Sequence, residues 1–477
     1  MHIRFPKLST RKHISLFLLA FCMLFLLTFT GCSVSDIFRP PETISVPDDH
    51  DSIQEAINAA EDWDEVIVKP GTYHENIDFK GKNITVTSTD PDKPYIVEDT
   101  IIHGNNESST VTFSSGENRD AVLKGFTITG GSGTWKTGYV ESQLHPEEVD
   151  EQKVENYFGG GILVANDSSP TIKDNVILDN NCLKKELVND KEVPEYGQGG
   201  AIAIAFNSSP EIKDNRIMDN KAKEGGGIAV SYDSSAVIEG NYIKENISAT
   251  VNSGAAILVR GAEADITGNR IRHNKTENGP GHAVCLEFSS ATISSSSIVN
   301  NTPSGIAVIY NSSANIEESM IVNNTRIEEE YLQDTVQGGG IFVSWESSAD
   351  IIDTTISENK AREGGGILIE RASSSTMRNN VIGHNSAEEK GGGILVETES
   401  SADIAENTIN HNTARLGAGV NISRESSAAV MSNEFEDNKA FDKGGAVWVG
   451  EDADLGLEDP DENIYQGNAP GDIYEEP

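Results

Sequence analysis

Between Gly364 and Asn438, short runs of alternating apolar and polar residues return at a nearly constant spacing. Gly364-Gly365-Gly366-Ile367-Leu368-Ile369, Gly391-Gly392-Gly393-Ile394-Leu395-Val396 and Gly417-Ala418-Gly419-Val420-Asn421-Ile422 each open one copy of a repeat. Each copy passes through Ser373-Ser374-Ser375, Ser400-Ser401 or Ser426-Ser427. It closes on Asn385, Asn412 or Asn438, which stand 27 and then 26 residues apart. Ile367 and Ile369, Ile394 and Val396, and Val420 and Ile422 recur with period two, which is the spacing of a strand. The glycines permit positive φ and mark a corner, and the paired serines mark the next. A second strand carries Met377, Ile404 or Val430, and a third carries Ile382, Ile409 or Phe435. A unit of three short strands cannot bury an apolar face alone. Stacked copies can, each strand pairing with its equivalents above and below at about 4.8 Å. The pattern predicts an all-β chain wound as a single-stranded parallel β-helix. The Leu-x-x-Leu-x-Leu signature of a leucine-rich solenoid is absent.

The closing asparagines extend into a column: Asn180, Asn220, Asn246, Asn274, Asn301, Asn324, Asn359, Asn385, Asn412, Asn438 and Asn468. A second column runs five residues earlier through Asn175, Asn215, Asn241, Asn269, Asn380, Asn407, Asn433 and Asn463. It lapses to Ser296, Ser319 and Thr354 in the middle. An amide both donates and accepts, so amides in register bond to one another along a stack. Their role is read as structural.

On these residues the chain resembles the right-handed parallel β-helix, or pectin-lyase-like, superfamily from about Ile44 to Asn468. Gly199-Gly200-Ala201-Ile202, Gly444-Gly445-Ala446-Val447 and Phe435-Glu436-Asp437-Asn438 also resemble repeats of polymorphic outer-membrane proteins. A membrane barrel normally follows those repeats. Here the sequence reaches Pro477 just after the last coil, which argues against that arrangement. The resemblance implies the fold and says little about activity.

Residues 1–31 read as a targeting segment. Arg4, Lys7, Arg11 and Lys12 precede the uncharged apolar run Ile14–Thr30. Leu27-Thr28-Phe29-Thr30-Gly31-Cys32 resembles a bacterial lipoprotein signal, with Phe29 where Leu is usual. The resemblance implies lipidation at Cys32, and Ser33 after it favours the outer membrane. An uncleaved membrane anchor is the alternative. Residues 32–48 read as a tether and 49–158 as an N-terminal cap with irregular first coils. Residues 159–468 read as regular coils and 469–477 as a tail. Ser52 as N-cap, with Ile53, Ala56, Ile57 and Ala60 on one face, predicts a short helix covering the open end of the solenoid. Insertions at 132–158, 182–198 and 325–337 all fall between the closing asparagine and the next glycines. They therefore emerge along one edge, where they can border a binding face. The last two lie five coils apart and bracket about 24 Å.

Charge narrows the partners. With 36 basic and 76 acidic residues the net charge is −40, and loss of the signal's four basic residues would take it to −44. Nucleic acid is excluded as a partner and an anionic membrane surface is disfavoured, so membrane contact is expected through the N-terminal lipid only. A polyuronate would be repelled unless Ca²⁺ bridged it; no other cofactor is expected. Cys182 and Cys285 fall about four coils, some 19 Å, apart, too far for a disulfide.

Candidate chemistry is sparse. Glu370 and Glu397 fall one coil apart at outward positions of the glycine-led strand. There they can split their pKa values or act as acid and base; plain surface charge is the simpler reading. Arg260 beside Glu287 reads as an ion pair. Phe206, Tyr232, Phe288, Tyr310 and Trp345 form an aromatic column, interrupted at Gly261, that is either a sugar platform or packing. Strict alternation points it inward. His384 and His411 fall on adjacent coils, close enough to share a metal, with no third ligand in their column. The aspartate clusters that lyases and galacturonases of the resembled superfamily use do not map onto this chain. Lys173-Asp174 and Lys213-Asp214 belong to the repeat itself. The leading expectation is an exported, lipid-anchored surface protein that binds a polysaccharide or a protein partner without catalysis. A polysaccharide lyase, epimerase or hydrolase working beside the insertions is the alternative, and an adhesin-like spacer is a third.

Overall fold

The computed structural model describes residues 39–476, apart from 142–150, 184, 189–190, 195–196, 252, 278, 280, 303, 326–337 and 457–462. The targeting segment and Cys32 lie outside the described residues. Residues Thr43–Pro477 form one compact unit. The other, Met1–Glu42, is described only over residues 39–42, where Arg39 pairs with Glu42 at 2.8 Å.

The larger unit is a parallel β-helix. Among the described residues three long sheets hold 15, 14 and 14 strands. Each coil visits them in the same order. The glycine-led strand comes first (Ile367–Ile369), the serine-led strand second (Ser374–Arg378), and the strand between the two asparagines third (Val381–Gly383). Coil pairs with coil in register: Ile367 with Ile394, Met377 with Ile404, Ile382 with Ile409. One inward residue from each strand therefore meets its equivalent directly above. The core is a set of isoleucine and valine columns at 0% exposure running the length of the unit. Each such side chain contributes about 1.5–3 kcal/mol by leaving water.

The predicted amide columns are continuous. Asn412 Nδ2 donates to Asn438 Oδ1 at 3.0 Å and to the Ile382 carbonyl at 2.8 Å, and Asn412 Oδ1 accepts from the backbone and side-chain nitrogens of Asn385. The chain of amides runs unbroken from Asn180 to Asn468. In the second column Ser296, Ser319 and Thr354 keep the bond to the backbone nitrogen of the coil below, so the column narrows without breaking. Among the described residues, the residue before each column position is held at positive φ, as in His384 at 56°, Glu406 at 60° and His411 at 52°. This bend turns each amide into the stack.

Helix α1, Ile53–Ala59, caps the N-terminal end as expected. Ser52 accepts from the Glu55 nitrogen at 3.2 Å, and Ile53, Ala56 and Ile57 are buried. Two side chains outside it hold its ends, which its own sequence does not announce. The Glu75 carboxylate accepts from the nitrogens of Ile53 and Gln54, both at 2.9 Å. At the other end Lys82 Nζ donates to the carbonyls of Ile57, Asn58 and Ala60. Negative charge at the first turn and positive at the last both suit the helix dipole. Thr43–Val46, within the stretch read as tether, pairs in parallel with Glu65–Val68 and starts the serine-led sheet. A second helix, α2 at Pro94–Asp99, sits in the irregular coils and was not foreseen.

The first insertion is an antiparallel hairpin, Thr134–Glu141 with Glu151–Phe158, and the second pairs Lys185–Val188 with Lys191–Pro194. Of the third, residues 326–337 lie outside the described residues. At the same corner the late coils add outer strips, Lys360–Glu363, Ser386–Lys390, Thr413–Leu416 and Lys439–Lys443, paired as a small sheet.

Replacing Asn412 by alanine removes four hydrogen bonds and strands two buried donors of Asn385. The expected loss is about 2–4 kcal/mol, read as a lowered urea midpoint. The exposed neighbour Glu399→Gln should leave that midpoint unchanged within error.

Candidate functional site

The glycine-led sheet is covered on both faces. Its inward residues belong to the main core, while Leu258, Cys285, Ala307, Ile309, Phe342, Leu368 and Leu395 form a second buried cluster on the outward face. Two walls cover that face. The outer strips bring Lys390 and Leu416 against Glu397 and Asn421. Opposite them, corners that follow these strands fold the aromatic side chains of Phe206, Tyr232, Tyr310 and Trp345 back against the outward clusters.

This geometry corrects the reading of Glu370 and Glu397 as exposed charge. They do point outward, but they are 2% and 0% exposed. Glu370 accepts from Ser344 Oγ at 3.0 Å and pairs with Arg371 at 3.1 Å; Glu397 pairs with Arg424 at 3.3 Å and Lys390 at 3.6 Å. Desolvation raises the Glu370 carboxyl above its usual range despite Arg371, and it raises Glu363 on the neighbouring strip as well. In the next coils Asn421 Oδ1, Ser423 Oγ and Trp448 Nε1 are buried without a hydrogen bond in the described structure.

Arg260 and Glu287 are the expected pair, at 2.6 Å, and Glu224 completes it from the other side, also at 2.6 Å. Gln198 Nε2 donates to Glu224 at 3.0 Å, and Gln198 Oε1 accepts from Ser231 Oγ at 3.1 Å. Burial opposes ionisation of Glu224, but Arg260 and Gln198 outweigh it and hold that carboxyl below its usual range. Glu224 and Gln198 lie on the outer edge of the coil, outside the strand columns, so strand periodicity missed them. Glu224, Glu287, Glu370 and Glu397 are each tied to a cation, an arrangement suited to locking coils together.

The aromatic column is not inward. Phe206, Tyr232, Phe288, Tyr310 and Trp345 take φ between 50° and 56°, the left-handed region, immediately after the strand. That single conformation breaks the alternation and swings each ring out along the corner, where it is half-buried. The rings pile on one another: Phe206 on Tyr232 at 5.4 Å, Phe288 on Tyr310 at 5.5 Å, Tyr310 on Trp345 at 4.6 Å, with Arg371 4.4 Å over Trp345. Phe158, at the end of the first hairpin, meets Phe206 and Tyr232 edge-on.

Gly261 interrupts this pile, and the corner there is also shorter. Ser231 and Ser235 are register partners of Arg260 and Glu263, so four steps in one coil become three in the next. The following coil is equally short, from Glu287 to Ser290, and the length recovers from Ile309 to Ser313. Long corners hold two consecutive positive-φ residues, Tyr232-Asp233 and Tyr310-Asn311. The short ones hold one, Gly261 or Phe288. Two recessed corners between longer ones leave a notch of about 620 Å³, lined by Asp233, Gly261, Glu263, Phe288, Asn311 and serines. It opens into a groove of about 470 Å³ over the serine-led sheet, whose side chains include Asp265, Thr292, Asn315 and Asp350. The two share Ser235, Glu263, Ser290 and Ser313.

His384 and His411 come together as expected, stacked at 4.8 Å and exposed, with Asp437 3.6 Å from His411. Among the described residues no group of three or more His, Cys, Asp or Glu side chains is arranged to hold a metal. Cys182 and Cys285 are buried thiols, and burial pushes Cys285 well up.

The model of the right-handed β-helix region family matches residues 74–243, 200–347 and 283–458, and the chain belongs to that family. No curated protein sequence matches closely enough to count as a relative. Among solved structures, the chain is similar to the pectate lyase Pel9A, with 13% identity over 83% of this chain and 80% of that one, TM-score 0.35. It is also similar to the catalytic unit of a thermostable GH87 α-1,3-glucanase from Streptomyces thermodiastaticus strain HF3-3, with 12% identity over 92% and 69%, TM-score 0.35. A GH136 lacto-N-biosidase from Eubacterium ramulus matches at 12% identity over 89% and 67%, TM-score 0.26.

Glu363 and Glu370 carry raised carboxyl pKa values in the fold, so the folded chain binds more protons than the unfolded one in that range. Their contribution is fully favourable below the ordinary carboxylate range and is lost as pH rises through the folded values. A Glu363→Gln/Glu370→Gln variant should therefore gain in urea midpoint over the wild type at pH 8 and lose that advantage by pH 4. The exposed Glu434→Gln should show no comparable change.

Proposed function

We propose that this protein is a non-catalytic β-helix module that holds an extended, hydroxyl-rich polymer, a polysaccharide, along the groove over the serine-led sheet. The observation that carries the reading is the pair of confluent cavities. They are walled by serine hydroxyls, amides and carboxylates and flanked by the ring of Phe288. Serine, asparagine and aspartate offer both donors and acceptors to hydroxyl groups, and an aromatic ring accepts the apolar face of a sugar. From Ser235 to Ser348 the groove crosses five coils, about 19 Å, which suits a chain better than a small molecule.

Non-catalysis rests on where the acids are. Glu370, Glu397 and Glu287 are buried and Glu224 is half-buried, and all four are tied to Arg or Lys on the far side of the aromatic corner. The groove's own carboxylates, Asp233, Glu263, Asp265 and Asp350, have no arginine, lysine or histidine among the lining residues to serve as a base or to stabilise charge. The reading further takes the chain to be exported and lipid-anchored at Cys32, with no cofactor. Among the described residues no helix is long and apolar enough to cross a membrane.

Calorimetry with a panel of neutral, amino and uronic oligosaccharides should give binding without release of reducing or unsaturated ends, and EDTA should not alter it. Phe288→Ala should weaken binding about tenfold or more. Cleavage that disappears in Glu370→Gln would favour the polysaccharide-active enzyme instead, and silence across the panel would favour a protein partner. In cells, Cys32→Ser should move the protein from the membrane fraction to the soluble one; retention there would favour an uncleaved anchor.

A further inference from the structure

The break at Gly261 has the dimensions of a missing ring. Tyr232 and Phe288 sit two coils apart, about 10 Å along the axis, with glycine in the coil between them. Elsewhere successive corner rings stack at 4.6–5.5 Å. The pile is therefore short of one ring beside Phe288, and the notch, lined by Asp233, Gly261 and Phe288, opens next to that break. The backbone does not demand glycine there. Gly261 has φ 53°, and Phe288, in the other short corner, carries a full ring at φ 50°.

The walls state what the occupant is. Asp233, Glu263, Asp265 and Asp350 are exposed, none pairs with a cation among the described residues, and no arginine, lysine or histidine lines either cavity. Asp265 is bonded only to a hydroxyl, Thr267 Oγ1 at 2.7 Å. The Arg260 guanidinium beneath the corner is already shared by Glu224 and Glu287. Like charges facing an incoming carboxylate cost affinity, and an ammonium group meets complementary potential.

We propose that the Gly261 slot is the anchoring subsite of the groove and that it seats one ring of an amine-bearing sugar chain against Phe288. The protonated amines along the chain are held by Glu263, Asp233 and Asp265. This rests on the polysaccharide reading above and goes beyond it in naming the subsite and the sugar class, which excludes uronates.

The test uses the full chain with three hexamers of matched length: glucosamine, N-acetylglucosamine and galacturonic acid. The expected order of affinity is glucosamine, then N-acetylglucosamine, with galacturonate not bound. Gly261→Phe completes the pile and should weaken glucosamine hexamer binding at least tenfold. Asp233→Asn/Glu263→Gln should erase the preference for glucosamine over its acetylated form. The control Glu399→Gln/Glu425→Gln, at exposed corners beyond the groove, should leave both affinities unchanged. Unaltered or tighter binding by Gly261→Phe would overturn the slot while leaving the groove reading intact. An equal loss of preference in the control would reduce the amine selectivity to bulk charge and overturn the sugar class. Silence with all three hexamers and with the wider panel would sink the groove reading itself.

Discussion

The constraint on which this protein depends is that each coil must present the same residue at the same height as the coils beside it. Backbone ladders between coils enforce a common spacing, and the buried amides convert that spacing into a chemical requirement. An asparagine at the bend accepts from the coil below and donates both to the coil above and to a neighbouring carbonyl. A coil out of step by one residue would leave several buried donors unmet, each at a cost of about 1–3 kcal/mol. The apolar columns tolerate more: Met377 replaces isoleucine and Phe435 replaces Ile409 with no loss of burial. Hydrophobic burial supplies most of the driving force and the amides supply the register.

Much of this was legible in the sequence because it is periodic. The asparagine columns, the glycine corners and the shared corner of the first two insertions follow from spacing, and the capping helix from its N-cap and apolar face. What failed was the assumption that a strand has one buried face. Alternation sorted Ile367 and Ile369 inward and sent Leu368 and Glu370 to water. The run Ile367-Leu368-Ile369 is uninterrupted, and unbroken apolar runs belong to strands covered on both sides. Leucine or alanine recurs at the outward place in Leu163, Ala203, Leu258, Ala307 and Leu395, so the second layer left a mark that a period-two reading passes over.

The aromatic corner was misplaced for a different reason. Alternation cannot continue through a residue of positive φ, and nothing in a phenylalanine or tryptophan announces that conformation. Side chains that rarely adopt it do so here because the ladder on either side dictates the backbone and the rings recover the cost by stacking. Glu224 and Gln198 were invisible to columnar reasoning, since they belong to no strand of the three main sheets. The notch could have been found by counting: the segment between strands loses a residue at Gly261 and again at Phe288.

That count shows how freely such a molecule can be resculpted. Two neighbouring corners each lose one residue, yet the strands before and after them keep the alignment of every other coil. Corner length and stacking order are separate variables. Insertions at one seam and deletions at another change the surface locally, while the interior records nothing. Relatives sharing this rod can thus carry unlike contours, each cut residue by residue into an otherwise unaltered stack.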